Sequence, residues 1–91
     1  MMKEKISEKS KLDSLIETEL AIILYNDDVN TFDHVIHSLI TICGLDSQAA
    51  EQCAYIVHYG GKCAVQHGCY DELEPKCLAL LNKGLSAKIE E

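Results

Sequence analysis

There is no arginine in this chain, no run of apolar residues long enough to cross a bilayer, and no pair of cysteines in a C-x-x-C spacing. Each absence removes a class of function. A membrane span needs roughly eighteen or more consecutive apolar residues, and no window here approaches that. Nor does the start carry the apolar core of a secretory leader. The five cysteines (Cys43, Cys53, Cys63, Cys69, Cys77) are odd in number and sit mostly among apolar residues. They read as reduced thiols of a cytoplasmic protein rather than as a disulfide framework. No Cys/His spacing fits a zinc site and no motif marks a catalytic nucleophile, so no metal, cofactor or enzymatic activity is expected. His34 and His37, one turn apart, fit the margin of a helix's apolar face.

The 91 residues are 47% apolar, enough for one modest core, and the net charge is −7. That charge is unevenly placed. Residues 1–18 hold four lysines against four acids, so residues 19–91 carry all of the excess. Such a surface repels phosphate backbones and favours a cationic ligand or a basic protein partner over nucleic acid.

Residues 1–18 alternate in charge with few apolar positions and are expected to form a flexible extension, with a single domain over 19–91. Glu19 to Tyr25 reads as a strand buried on both faces, ended by Asn26-Asp27-Asp28. Asn30 is the expected cap of a first helix, with Asp33 as its capping-box partner. Phe32, Val35, Ile36, Leu39, Ile40 and Cys43 recur along that helix at helical spacing until Gly44. A second helix, capped by Asp46 or Ser47, runs to Gly60-Gly61, and a weak strand follows from Lys62 to about Cys69. A third helix starts near Asp71, with Pro75 close enough to its start to be tolerated, and ends at Gly84. Leu85 to Ile89 alternates as a final edge strand. The order βααβαβ predicts an α+β two-layer sandwich, a three-stranded antiparallel sheet packed against three helices.

Two short motifs stand out. Leu24-Tyr25-Asn26-Asp27-Asp28 stops an apolar run at three polar acceptors, and Val57-His58-Tyr59-Gly60-Gly61-Lys62 stops a helix at a histidine and two glycines. By residue type, the first is a turn and the second a helix end with a dipole partner. If the fold joins them, an amide oxygen, two carboxylates and an imidazole make a cup of acceptors suited to an ammonium group, which only donates.

Together these motifs resemble those of the ClpS family, the adaptors that deliver proteins bearing N-degrons to a Clp AAA+ unfoldase, over about residues 20 to 90. The fold order is also that of the ribosomal stalk protein's C-terminal domain. The resemblance implies that Asn26, Asp28 and His58 hold the α-amino group of a bulky hydrophobic N-terminal residue, with Asp27 assisting. It implies an apolar side-chain pocket walled by Asn30, Phe32, Val35, Ala54, Val57 and Leu85. It places unfoldase contacts at Asp71 and Lys76, and implies a monomeric adaptor. Two positions depart from the family pattern. Phe32 replaces a methionine that gates against β-branched residues, and Ala54 replaces a second pocket methionine. The alternative is a ClpS-like interaction domain that docks on the unfoldase without recognising N-degrons.

Overall fold

The computed structural model describes residues 19–91, so the expected extension over residues 1–18 lies outside the described residues. The elements are β1 (Leu20–Tyr25), α1 (Phe32–Cys43), α2 (Ser47–Gly60), β2 (Lys62–Gly68), α3 (Tyr70–Asn82) and β3 (Ser86–Glu90). The sheet is antiparallel with β1 in the middle, in the order β2-β1-β3. The expected α+β sandwich is therefore what the chain forms.

Alternation along β1 decides how the layers meet, because successive side chains point to opposite faces. Ile22 and Leu24 point at the helices and are fully buried. They meet Leu39 from α1, Val57 from α2, and Leu73 and Leu80 from α3, with Leu85 and Ala87 beside them. Ile23 and Tyr25 point the other way and stay half-buried, which corrects the expectation of a strand buried on both faces. Among the described residues the three helices lie on one side of the sheet and no element covers the other. A register shift at Ile22/Ile23 sets Gln66 and then Ala64 opposite them, so Val65 is the extra residue of a bulge in β2.

The helix ends follow local chemistry. Thr31, not Asn30, caps α1, its hydroxyl accepting from the His34 N–H at 3.1 Å. Asp46 caps α2 by accepting from the Ala49 N–H at 2.8 Å. α3 begins at Tyr70, one residue before the expected start, with Cys69 at the cap position and Pro75 inside an unbroken helix.

Candidate ligand-binding site

The site exists because one hydrogen bond closes the gap between the two sequence motifs. α2 ends at Gly61, which takes the left-handed backbone (φ 97°) that glycine adopts without a Cβ penalty. Its N–H donates to the Val57 carbonyl, and its own carbonyl accepts from the Asn26 N–H, both at 2.9 Å. Tyr25 and Lys62 are register partners in the sheet. The polar end of β1 is thus pinned beside the last turn of α2, where His58 stands.

Between them lies a cavity of about 100 Å³. Asn26, Asp27 and Asn30 line one side of its mouth, and His58 and Phe32 line it from the helices. Val35, Ala54, Val57, Leu85 and Leu24 make the apolar part. Ala54, Val57 and Leu85 are buried, whereas Phe32 at the start of α1 is 37% exposed. All six expected pocket-wall residues therefore face one cavity. Asp28 does not; it is exposed on the outer side of the same loop.

Asp27 and Asn30 organise that loop. Asp27 Oδ1 accepts from the backbone N–H groups of Val29 (3.0 Å) and Asn30 (3.1 Å). Asn30 Nδ2 donates to both Asp27 oxygens, at 3.1 and 3.0 Å, and to the Gly84 carbonyl at 2.9 Å. Ser86 Oγ donates to Asp27 Oδ2 at 3.3 Å. Burial pushes the Asp27 carboxyl up, but the hydrogen bonds from Asn30, Val29 and Ser86 outweigh it, and the pKa ends below the ordinary value. Since both neighbours of the Asn30 amide nitrogen are acceptors, its Oδ1 is the group left to accept from a ligand. The mouth thus offers amide oxygens from Asn26 and Asn30, the His58 ring, and the negative charge of Asp27 behind them.

The sequence motifs did not show that Ser86 and Gly84, from the far end of the chain, would lock this loop. The one local signal was Asp27 itself, an Asx-turn former whose carboxylate reaches the Val29 N–H two residues on. His34 Nε2 lies 2.8 Å from the Lys83 carbonyl, so His34 ties α1 to the end of α3. No cluster of three or more His, Cys, Asp or Glu residues suited to a metal occurs among the described residues. All five thiols are free. Burial, followed by a hydrogen bond with Cys63, pushes the Cys53 thiol up to about 11. Asp71 lies exposed in the first turn of α3 and Lys76 is half-buried. Five residues apart, they point about 140° from each other around the helix and do not share a face.

A family model described as ATP-dependent Clp protease adaptor protein ClpS matches residues 17–88. A search among curated proteins found no match. Among solved structures, the chain is similar to that of Agrobacterium tumefaciens ClpS2 bound to L-phenylalaninamide, with a TM-score of 0.74 and 22% identity. The match covers 80% of this chain and 95% of that one, and it supports the two-layer fold described above. With most of its length matched by the family model, this chain belongs to the ClpS family of Clp protease adaptor proteins, which are adaptors and not enzymes.

Proposed function

We propose that this adaptor captures proteins by a free N-terminus bearing a bulky hydrophobic residue and hands them to a Clp-type AAA+ unfoldase. The observation that carries the reading is the junction of two environments in one cavity: a mouth of hydrogen-bond acceptors and an apolar interior. A free α-amino group ordinarily titrates at roughly 7.7–8.0, so it is mostly protonated at neutral pH and offers three donors. Asn26 and His58 take those donors directly, with Asn30 Oδ1 beside them. Asp28 supplies charge from the rim of the loop, and Asp27 adds its fixed charge from behind. The attached side chain enters among Val35, Ala54, Val57 and Leu85. An enclosed apolar cavity of ~150 Å³ holds benzene, so about 100 Å³ that opens at a mouth takes the tip of a Leu or Phe side chain, and the larger Tyr and Trp rings project further from the mouth. The ligand named for the Agrobacterium protein, L-phenylalaninamide, has this chemistry: a free amine beside a large apolar side chain.

The family match supports delivery. The proposed contact for the unfoldase's N-terminal domain is Asp71, exposed at the start of α3, with Lys76 meeting the partner from a different side of the helix. Residues 1–18 are the proposed segment the unfoldase engages. The adaptor works in the cytoplasm as a monomer.

Titration of peptides beginning with Phe, Leu or Tyr, each against its N-acetylated form, tests the capture step. Acetylation removes the charge and two donors, so the acceptors at the mouth lose partners at ~1–3 kcal/mol each. The expected result is a loss of affinity of about a hundredfold or more. Asp28→Ala is expected to weaken binding by no more than about fivefold with the fold intact, since Asp28 is exposed and acts only through its charge. Equal binding of free and acetylated peptides would leave only docking on the unfoldase as the function.

A further inference from the structure

Beside the cavity mouth four rings make a closed circuit of contacts, two of them at the mouth itself. Phe32 has its ring centroid 5.1 Å from that of Tyr55, tilted 58°, and 5.1 Å from that of His58, tilted 54°. Tyr55 stacks on Tyr59 at 6.0 Å and 10°, and Tyr59 meets His58 edge-on at 4.7 Å and 90°. Tyr55, His58 and Tyr59 are spaced i, i+3, i+4, which brings them to one face of α2. Phe32 joins them from the first turn of α1. Of the four, only Phe32 and His58 line the cavity. Tyr55 and Tyr59 are 55% and 76% exposed, so neither is there to fill the core.

Phe32 is held from α2 by two rings, Tyr55 on one side and His58 on the other. It is the first helical residue after an exposed loop, and a ring at such a position has more than one staggered χ1 well within reach. The tilted contacts with Tyr55 and His58 favour the well that keeps the Phe32 ring at the cavity mouth, and of the two partners only Tyr55 lies outside the cavity lining. We infer that Tyr55 is a positioning residue for side-chain selection: by holding Phe32 it narrows the mouth against N-terminal residues branched at Cβ. The inference rests on the reading of this cavity as a pocket for an N-terminal residue. The geometry distinguishes two kinds of branching. A branch at Cβ lies close to the ligand backbone, at the mouth, where Phe32 and His58 stand. A branch at Cγ lies deeper, beside the small side chain of Ala54, which is 2% exposed.

Leu and Ile side chains are isomers, so two peptides that differ only in starting with one or the other bury nearly the same apolar area. The ratio of their dissociation constants therefore reads the shape of the mouth. Measured by fluorescence anisotropy, wild type is expected to favour Leu. An aromatic pair of this geometry corresponds to about a 2- to 12-fold effect. Tyr55→Ala is expected to shrink the Leu/Ile ratio by that factor, and Tyr55→Phe, which keeps the ring, to restore it. Loss of the ring contacts should lower the melting temperature of Tyr55→Ala by roughly 2–12 °C with the fold intact, whereas Tyr55→Phe should melt close to wild type. No Leu preference in wild type, an unchanged ratio in Tyr55→Ala, or an equal loss in Tyr55→Phe would overturn the inference alone. Failure of wild type to bind either peptide would overturn the proposed capture of N-termini as well.

Discussion

Replacing Asp27 by Ala should cost the loop that carries the site its internal scaffold. Four donor groups converge on this carboxylate: the N–H groups of Val29 and Asn30, the Asn30 amide and the Ser86 hydroxyl. A hydrogen bond to a charged group contributes about 1.5–3 kcal/mol, so four at face value would exceed roughly 6 kcal/mol. The loop is partly exposed, however, so water takes over some of the freed donors, and bonds sharing one acceptor do not add. The expected loss is about 2–3 kcal/mol, or a fall in melting temperature of roughly 8–24 °C for a domain of this size. Circular dichroism melts at a series of pH values make the test specific. A carboxyl whose folded pKa is lowered stabilises fully above its unfolded pKa of ~3.9, and that stabilisation fades as pH falls through the lower folded value. The gap between wild type and Asp27→Ala should therefore be wide at pH 7 and begin to close only as pH falls below about 4. Equal melting temperatures at pH 7, or a gap that stays constant into strong acid, would refute the scaffold role. Peptide binding should fall together with stability, since Asn26 and Asn30 lose the group that orders their loop.

Two further outcomes follow from the same geometry. Ala54→Met puts a long side chain into the apolar end of a cavity of about 100 Å³, and should weaken Phe-starting peptides by about tenfold or more while affecting Leu-starting ones less; calorimetric titration of both checks this, and equal losses would argue against Ala54 forming the floor. Thiol labelling with a chromogenic disulfide at pH 8 should modify exposed Cys69 first, with buried Cys43 and Cys77 protected and Cys53 slow because its thiol is pushed up to about 11; mass-mapped labelling of Cys53 ahead of Cys69 would contradict the packing of α2 against β2.

Some features were legible in the sequence because local physics decides them. Apolar residues at helical spacing from Phe32 to Cys43 marked α1, and Gly44 ended it in the left-handed conformation (φ 74°). The alternation of Ile22 and Leu24 with Ile23 and Tyr25 marked a strand, though not that Ile23 and Tyr25 would stay half-buried. The candidate site was legible as two motifs, and the residues expected to wall its pocket do line one cavity. The capping of α1 was misread because Asn30 and Thr31 are both good caps. Asn30 is instead drawn away by partners 3 and 54 residues distant, Asp27 and Gly84.

The sequence by itself determined the order of elements, the charge of the domain and which residue types were available to meet an amine. Tertiary structure alone decided that Ser86 and Gly84 brace the loop around Asp27 while Asp28 stays outside the cavity, and that Phe32 of α1 meets Tyr55 and His58 of α2. The physical reason is separation along the chain. Periodicity and capping act over three or four residues, whereas these contacts exist only after β1 pairs with β2 and β3 and brings the ends of three helices to one place.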